Sequence, residues 1–561
     1  MSRSTGSRHI AEMFKGYGVD HVFFVPAVLM QALAEIEQAG IKRIMTHSEK
    51  AAAYMADGYA RAGRRPGICM AQNIGASNLA AGLRDARMAG IPVIAMTGGP
   101  SPRSRYRNQY QEIEDSAQFE PVTKFNARVD QIDRLTDLLR QAFRAATTGM
   151  PGPVHLQFSG PLGEIAEQQA DFQVSVDARH ARVPPFRPAP DAEQIAHAAG
   201  LLRAARRPVI VAGGGCTISR AGPEIVALAE RLGIPVATSL NGKGAIPETH
   251  PLSLGVVGTY SRECANRAVA GADLVVFAGS RTGSQVTNNW TTPAPQARVV
   301  HIDIDPAEIG RNYPRTAAVL GDAKVALGAL LRALKRKTPP ATGRWLAQIE
   351  TMKRAWRRME APQLNSDAVP IRPERVCAAI SAVLPKDGIV VADTGHSGMW
   401  TSTMIELRHA GQQYFRCAGS LGWSFPAALG VKCAEPDKPV VCFNGDGAFY
   451  YHLAELETAA RHGINVVTVV NNNSAFNQEI HLVDLAYRNL PAARPHDLWK
   501  FADIDFAGIA RSFGCVGIRV DHPSQLEDAL VEGLRARRPV VIDVVTDVNA
   551  MARHAWQPPK R

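Results

Sequence analysis

The sequence lacks the features of a membrane or secreted protein. None of its 561 residues fall in an uninterrupted apolar run of about 18, the length that a transmembrane helix needs. The first residues, MSRSTGSRHIAEMFKGYG, lack the apolar core of a signal peptide. The eight cysteines show no metal-ligand spacing, and most lie in apolar segments, as buried reduced thiols do. We therefore expect a cytoplasmic protein with no membrane partner.

Negative charge is also in short supply. Lys and Arg outnumber Asp and Glu, which gives a formal net charge of +11. The basic clusters, at 332–337 and 353–358, have the pattern of solvated helix faces, so we expect no nucleic-acid partner. A positive surface would instead give mild attraction for small anionic substrates.

The length and the order of apolar segments indicate three domains. A chain of 561 residues can form about three full cores. Short apolar strands alternate with helical segments, which predicts parallel sheets covered by helices. Proline-rich stretches at 176–193 and in 338–374 indicate linkers. The sequence therefore predicts an α/β protein with three doubly wound parallel-sheet domains, at 1–165, 194–335 and 375–546.

The most informative motif has two parts: GDG at 445–447 and NN at 472–473, separated by 24 residues. An apolar strand (439–444) leads into the first part. A helix with apolar residues at helical spacing follows, and a second apolar strand (464–470) leads to the asparagines. Because such a crossover connects parallel strands, both parts should meet at the carboxyl edge of one sheet, where α/β proteins bind ligands.

This pair of residue types favours a metal bound to a diphosphate. Asp446 and Asn473 would offer one carboxylate and one amide oxygen. That sparse set of hard ligands suits Mg²⁺, which takes further oxygens from water and from phosphates. The adjacent glycines and the following helix N-terminus suit a phosphate group.

The motif and its spacing resemble the diphosphate site of thiamine-diphosphate (ThDP) enzymes. The resemblance implies that Asp446 and Asn473 bind Mg²⁺ through their side chains. It also implies a metal contact from the carbonyl of Ala475, and diphosphate contacts from the N–H groups of Gly447 and Ala448. The third domain would then bind the diphosphate, and the first domain would bind the pyrimidine ring of the cofactor.

The family's other half-site is a glutamate that activates the pyrimidine ring. The segment THSEKAAAYMADGYARAGRRPGI (46–68) resembles the stretch that carries it, which makes Glu49 the catalytic candidate. Taken alone, a Glu between a short strand and a helix is better explained by the helix dipole. In this family the first domain of one subunit faces the third domain of another. The resemblance thus implies a homodimer or homotetramer with active sites at the interface.

Further segments resemble acetolactate synthases (acetohydroxyacid synthases) most closely. They lie at 110–126, 148–159, 393–400 and 419–430. The first places Gln111, a second catalytic candidate, and Lys124 near the active site. The third gives cofactor-binding positions to Gly395, His396 and Ser397. The fourth gives Leu421 the place of the apolar residue that bends the cofactor.

The middle domain carries weaker signals. GGG at 213–215 lacks the GxGxxG order, so NAD binding is not expected. The segment HIDIDPAEIG (301–310) resembles the acetolactate synthase domain that holds FAD, but the family's paired acidic residues are missing from 278–290. FAD or another ADP-containing ligand, such as a coenzyme A thioester, is expected as a possible occupant.

The implied reaction is the decarboxylation of a 2-oxo acid followed by ligation of the resulting enamine to a second carbonyl. Three departures from the family pattern leave the substrate open: VPAV at 25–28 for YPGG, QNIGASN at 72–78 for SGPGATN, and Ser48 where histidine is common. The alternatives are a simple 2-oxo-acid decarboxylase of the benzoylformate type and an enzyme of the 2-hydroxyacyl-CoA lyase or oxalyl-CoA decarboxylase type. A silent regulatory subunit would be expected to lack Glu49 or the metal ligands. The segment 474–499 is predicted to form a lid, with Asn477, Gln478 and His481 as candidate substrate contacts.

Overall fold

The computed structural model describes residues 2–334, 343–490 and 495–559. Parts of the predicted linker (338–342), basic cluster (335–337) and lid (491–494) lie outside the described residues. The described chain contains three six-stranded sheets, each entirely parallel and covered by helices. The predicted α/β class with three doubly wound domains is confirmed.

The N-terminal domain is built on the first of these sheets. Its strands are β1 (Ser2–Thr5), β2 (His21–Phe24), β3 (Lys42–Met45), β4 (Gly67–Ala71), β5 (Val93–Gly99), β6 (Phe125–Val129), β7 (Val154–Ser159) and β8 (Gln169–Phe172). Its helices are α1 (Gly6–Gly16), α2 (Met30–Gln38), α3 (Glu49–Gly63), α4 (Ala76–Gly82), α5 (Arg84–Ala89), α6 (Ser116–Phe119) and α7 (Leu135–Thr147). The sheet order is β3-β2-β4-β5-β7-β6, and β1 pairs antiparallel with β8.

The central domain has a different strand order. Its strands are β9 (Pro208–Ala212), β10 (Val236–Thr238), β11 (Ser253–Val256), β12 (Leu274–Ala278), β13 (Val299–Asp303) and β14 (Thr316–Leu320). Its helices are α8 (Ala192–Ala204), α9 (Gly214–Ser219), α10 (Gly222–Leu232), α11 (Glu263–Gly271), α12 (Ser284–Thr287) and α13 (Ala323–Ala333). The order β11-β10-β9-β12-β13-β14 is that of dinucleotide-binding sheets, whose ligands lie where the order reverses, between β9 and β12.

The C-terminal domain follows a long connecting helix, α14 (Gly343–Leu364). Its strands are β15 (Ile389–Ala392), β16 (Gln413–Arg416), β17 (Val440–Gly445), β18 (Val467–Asn472), β19 (Val516–Val520) and β20 (Val540–Val545). Its helices are α15 (Pro373–Val383), α16 (Gly395–Met404), α17 (Ser424–Ala434), α18 (Asp446–Tyr450), α19 (Glu455–His462), α20 (Ile480–Tyr487), α21 (Phe506–Ser512) and α22 (Leu526–Arg535). The order β16-β15-β17-β18-β20-β19 repeats that of the N-terminal sheet, strand for strand.

Two local expectations differ from the structure. The predicted linker region contains α14, because its apolar residues Trp345 and Ile349 bury against the central domain. The single helix predicted after the GDG motif is split into α18 and α19. The turn between them lets the buried His452 ring pack against Tyr54 of α3, with ring centroids 5.6 Å apart.

One apolar cluster joins the N-terminal and C-terminal domains, and it is centred on α3 and α17. These helices contact each other backbone to backbone. A Cβ added at Gly58 would lie 2.0 Å from the carbonyl oxygen of Ala427, and one added at Gly430 would lie 1.9 Å from that of Met55. The alanine-rich sequence of α3 is therefore explained by close helix packing.

No helix of the described residues is long and apolar enough to cross a membrane. All eight cysteines are free thiols, and seven of them are buried.

The buried His155 of β7 predicts a loss of stability in acid. The ring bonds Thr97 and Asn126, each at 2.8 Å, and stacks on Phe119. Burial, assisted by the charge of Arg128, lowers the pKa of His155 from 6.5 to about 3. The unfolded chain therefore binds the proton first, and the stability that depends on the neutral ring is complete above pH 6.5 and falls as the pH drops below it.

We expect acidification from pH 7 to pH 5 to destabilise the wild type by about 2 kcal/mol more than a His155→Gln variant. Hydrogen exchange of the β7 amides at both pH values measures this difference. Comparing the two proteins cancels the carboxylates whose pKa is raised, which act in the opposite direction. Equal pH dependence in both proteins would contradict a neutral, buried His155.

Candidate active site

Asp446 and Asn473 meet at the carboxyl ends of the neighbouring strands β17 and β18. Oδ1 of Asp446 accepts the N–H of Gly447 at 2.7 Å, and Oδ2 accepts the N–H groups of Asn473 and Ala475, each at 3.1 Å. Ser474 between them has φ +54°, a left-handed conformation that lets both N–H groups reach the same carboxylate. The backbone therefore fixes the position of the Asp446 side chain.

The oxygen atoms of this pair fit a hard cation. Asn473 Oδ1 is buried and has no hydrogen-bond partner among the described residues. The Asp446 carboxylate is 2 % exposed and still has free lone pairs. Burial raises the pKa of Asp446 to about 6, although the surrounding N–H groups act to lower it. A buried carboxylate beside an unpaired amide oxygen is the ligand chemistry that Mg²⁺ requires.

The pair lines a cavity of about 310 Å³. All nine predicted site residues of the C-terminal domain line it: Gly395, His396, Ser397, Leu421, Asp446, Gly447, Ala448, Asn473 and Ala475. Gly447 is required by packing, because a Cβ there would lie 2.2 Å from the ring of Phe476. The structure thus brings this half of the predicted site together.

His396 is held in one tautomer. Its Nδ1 lies 3.0 Å from Asn477 Oδ1, and Asn477 Nδ2 donates to the carbonyl of Ala550 at 2.9 Å. Because the Asn477 amide nitrogen is used in this way, its oxygen accepts and His396 Nδ1 carries the proton. Burial lowers the pKa of His396, so the ring is neutral near pH 7. Asn477, predicted as a substrate contact, is buried, lines the cavity and positions His396.

The segment that carries Leu421 is anchored by two buried carboxylates from different domains. Asp393 accepts the N–H groups of Gly422 at 3.1 Å and Ser424 at 2.9 Å. Asp85 of the N-terminal domain accepts the N–H groups of Ala418 and Ser420. Leu421 therefore reaches the cavity on a backbone fixed from both sides.

Glu49 is the first residue of α3 and does not end a strand as expected. Ser48 caps this helix by accepting the N–H of Ala51 at 3.1 Å. Asn78 Nδ2 donates to Glu49 Oε2 at 3.2 Å, and a Cβ added at Gly75 would lie 2.5 Å from Glu49 Oε1. The Glu49 carboxylate therefore packs closely against the turn at 73–78.

Glu49 and Gln111 lie apart from Asp446 within one chain. Among the described residues, the Asp446 cavity is lined by the C-terminal domain and by Tyr260 of the central domain. Gln111 lies in the irregular segment 101–115 with φ +60°, and its side-chain oxygen is buried with no hydrogen-bond partner in the described part of the chain. Within one chain the predicted site residues thus form two separate groups.

The other predicted contacts, Lys124, Gln478 and His481, lie in different environments. Lys124 Nζ donates to the carbonyls of Ala145, Thr148 and Met150, at 2.9, 2.7 and 2.6 Å. These contacts make Lys124 the C-terminal cap of α7. Gln478 lines the cavity, whereas His481 is exposed on α20.

Three large aromatic residues are among the cavity residues that sequence reasoning missed: Tyr260, Trp400 and Phe476. Trp400 lies in a segment that had been matched, one turn after His396, so helical spacing could have identified it. Phe476 lies in the predicted lid, next to Ala475. Tyr260 comes from another domain, and no local signal marks it.

A second, larger cavity of about 530 Å³ opens at the strand-order reversal of the central domain. Its wall includes glycines 214, 215 and 279, Asp303 at the end of β13, and the cationic side chains of Arg281 and Arg416. Size, position and the two cations suit an adenine dinucleotide or another ADP-containing ligand.

Sequence comparison identifies the class of protein that this geometry describes. Three domain families match: the thiamine pyrophosphate enzyme N-terminal TPP binding domain at residues 4–119, the central domain at 195–330, and the C-terminal TPP binding domain at 393–544. The chain belongs to the thiamine pyrophosphate enzyme family. Thiamine pyrophosphate is another name for ThDP.

Its curated relatives specify the branch of the family. A probable acetolactate synthase large subunit of Methanocaldococcus jannaschii is 34% identical over 557 residues, covering 97% of this chain and 92% of the relative. Acetolactate synthase large subunits of Parasynechococcus marenigrum and Haemophilus influenzae are 32% and 30% identical, covering 96% and 98% of this chain and 87% and 95% of the relatives.

Proposed function

We propose that this protein is a ThDP- and Mg²⁺-dependent carboligase that decarboxylates a 2-oxo acid and joins the remaining fragment to a second carbonyl compound. The observation that carries the proposal is the Asp446–Asn473 oxygen pair, which faces a cavity lined by every predicted residue of the diphosphate half-site. Similarity to acetolactate synthases over almost the whole chain supports the reaction type.

Each residue has a defined task in this proposal. Asp446, Asn473 and the carbonyl of Ala475 hold Mg²⁺. The N–H groups of Gly447 and Ala448 bind the diphosphate at the N-terminus of α18, together with Gly395, His396 and Ser397. Leu421 sets the bend of the cofactor.

Bound ThDP supplies the electron sink for decarboxylation, and the protein supplies orientation and proton transfer. Glu49 would exchange a proton with the pyrimidine ring of the bound cofactor, and Asn78 would fix the direction of its carboxylate. Gln111 orients the substrate on the same side. Protein walls exclude water, which favours attack on a second carbonyl over protonation.

A complete site in this proposal needs two chains. Glu49 does not line the Asp446 cavity of its own chain, so the N-terminal half-site of one subunit completes the C-terminal half-site of another. We therefore propose a homodimer or homotetramer acting on small 2-oxo acids. Its buried free thiols suit a reducing, cytoplasmic compartment. We also propose the domain limits 1–165, 194–335 and 375–546. Residue 335 itself lies outside the described residues.

FAD, or another ADP-containing ligand, is proposed for the central cavity. Its diphosphate would lie near Arg281, at the switch point beside β9. Flavin absorbance of the purified protein tests FAD directly. An ADP-type occupant without a flavin would give no such absorbance and would be found by mass spectrometry of the denatured protein.

The reaction is tested by a product screen with ThDP and Mg²⁺. Pyruvate, benzoylformate and a 2-hydroxyacyl-CoA are offered with and without an aldehyde acceptor, and products are identified by mass spectrometry. We expect acetolactate from pyruvate alone. Benzaldehyde from benzoylformate without ligation would identify a decarboxylase. Cleavage of the 2-hydroxyacyl-CoA into an aldehyde and formyl-CoA would identify a coenzyme A lyase, and either result replaces the carboligase.

A further inference from the structure

One buried side chain in the N-terminal half-site has no counterpart in the family pattern. The segment 72–78 reads QNIGASN where the family has SGPGATN, so Asn73 occupies a glycine position. Asn73 is 0 % exposed, and its backbone N–H donates to the carbonyl of Pro161 at 3.0 Å. A buried amide side chain at a glycine position needs partners that glycine cannot bind.

Those partners lie in the segment that carries Gln111. Asn73 Nδ2 donates to the carbonyl of Gln111 and, at 3.3 Å, to the carbonyl of Ile113. One amide nitrogen therefore bridges two carbonyls on either side of Glu112. Asn73 Oδ1 and Gln111 Oε1 both remain buried without partners among the described residues, so this contact region still has acceptors for a bound molecule.

The Gln111 segment needs such an anchor. It has no regular secondary structure, and three of its non-glycine residues, Tyr106, Asn108 and Gln111, are left-handed. Glu112 accepts the N–H groups of Tyr106 and Gln109, which closes the segment on itself but does not attach it to the domain.

The attachments are at other places. Glu114 pairs with Arg128 of β6 at 2.6 Å on an exposed side. Asn73 is the attachment at Gln111 itself, and it is buried. Because a left-handed glutamine is unfavourable without support, the conformation of Gln111 depends on the Asn73 amide.

The turn that supplies Asn73 also holds Glu49. Gly75 closes against Glu49 Oε1, and Asn78 donates to Glu49 Oε2. The turn at 73–78 thus contacts both catalytic candidates of this half-site, with Asn73 at the Gln111 end and Asn78 at the Glu49 end. It sets where one candidate lies relative to the other.

We propose that Asn73 is a positioning residue that holds Gln111 in its left-handed conformation for the substrate step. This rests on the proposed carboligase function, in which Gln111 orients the substrate. The role is separable from Glu49 and from the metal site, because Asn73 contacts neither of them.

The test compares the single variants Asn73→Gly, Asn73→Asp and Gln111→Ala with the two double variants that combine Gln111→Ala with either Asn73 substitution. All are studied as holoenzyme with ThDP and Mg²⁺. Asn73→Asp keeps the shape but removes the N–H donors. Asn73→Gly restores the family's residue and decides the matter if the aspartate variant fails to fold. Pyruvate is the substrate probe, and hydrogen exchange of residues 104–116 reports the segment directly.

We expect two quantities to remain within about twofold of wild type: the affinity for ThDP, and the rate of deuterium exchange at C2 of its thiazolium ring. The contacts of Glu49 and of the metal site are untouched by these substitutions. The kcat/KM for pyruvate should fall about tenfold in each single variant and no further in the doubles, since one function is lost in each case. Amide exchange at 104–116 should rise at least about threefold in both Asn73 variants.

Multiplicative effects in the double variants, or wild-type turnover and exchange in Asn73→Gly, would overturn the positioning role. Failure of the proposed function looks different. The wild type would then bind no ThDP or leave pyruvate unchanged, and the exchange rate of residues 104–116 would alone decide whether Asn73 holds the segment.

Discussion

Replacing Asp446 by alanine is expected to abolish Mg²⁺-dependent binding of ThDP. The carboxylate supplies the only anionic metal ligand of the proposed set, and its oxygens also gather three backbone N–H groups around the site. Loss of both contributions should raise the Kd for ThDP at least about 100-fold, or about 2.7 kcal/mol. Isothermal titration with and without Mg²⁺ measures the change.

Two further variants sharpen this result. Asp503 lies in the same domain but is 81 % exposed, so Asp503→Ala should bind ThDP like the wild type. Asp446→Asn keeps an oxygen that can accept backbone N–H groups and should fall between the two. Tight, Mg²⁺-dependent binding by Asp446→Ala would remove the metal site from this edge of the sheet.

Replacing Glu49 by glutamine is expected to leave ThDP affinity nearly unchanged and to slow C2 deuterium exchange by about 100-fold or more. Glutamine can still accept from Asn78 with its amide oxygen, so the turn at 73–78 is preserved. What it cannot do is exchange a proton with the pyrimidine ring. Quenched-flow exchange followed by NMR measures the rate, and a normal rate in this variant would exclude the role of Glu49.

Gly75 offers an independent way to disturb the same carboxylate. A methyl group there would lie 2.5 Å from Glu49 Oε1, so Gly75→Ala should displace the Glu49 carboxylate without removing it. Deuterium exchange at C2 of ThDP should then be slower. Gly200→Ala is the matched control, because its nearest neighbour is the end of Arg203 at 4.0 Å. Equal exchange rates in these two variants would mean that the exact place of Glu49 is unimportant.

The parts of the fold that the sequence predicts are those with a recognisable pattern of neighbouring residues. The strands β17 and β18 came from short apolar runs, and the crossover rule then placed Asp446 beside Asn473 without any knowledge of side chains. The strand order that the N-terminal and C-terminal sheets share is not visible in the sequence itself, because equal folds need not share residues.

What escaped prediction depends on contacts between distant segments. Tyr260 reaches the cavity from another domain, and the break between α18 and α19 is set by packing against α3. Lys124 matched a family segment, yet its amine is occupied by three carbonyls at the end of α7. A matched segment thus indicates a region of the fold, whereas the contacts of each side chain are seen only in the structure.

The contact between α3 and α17 limits movement between the N-terminal and C-terminal domains of one chain. Backbone atoms touch there with no side chain between them, so neither helix can slide or rotate without a collision at Gly58 or Gly430. The N-terminal and C-terminal domains of one chain consequently have no hinge at this contact. We therefore expect any movement that admits or releases small molecules to occur away from this contact.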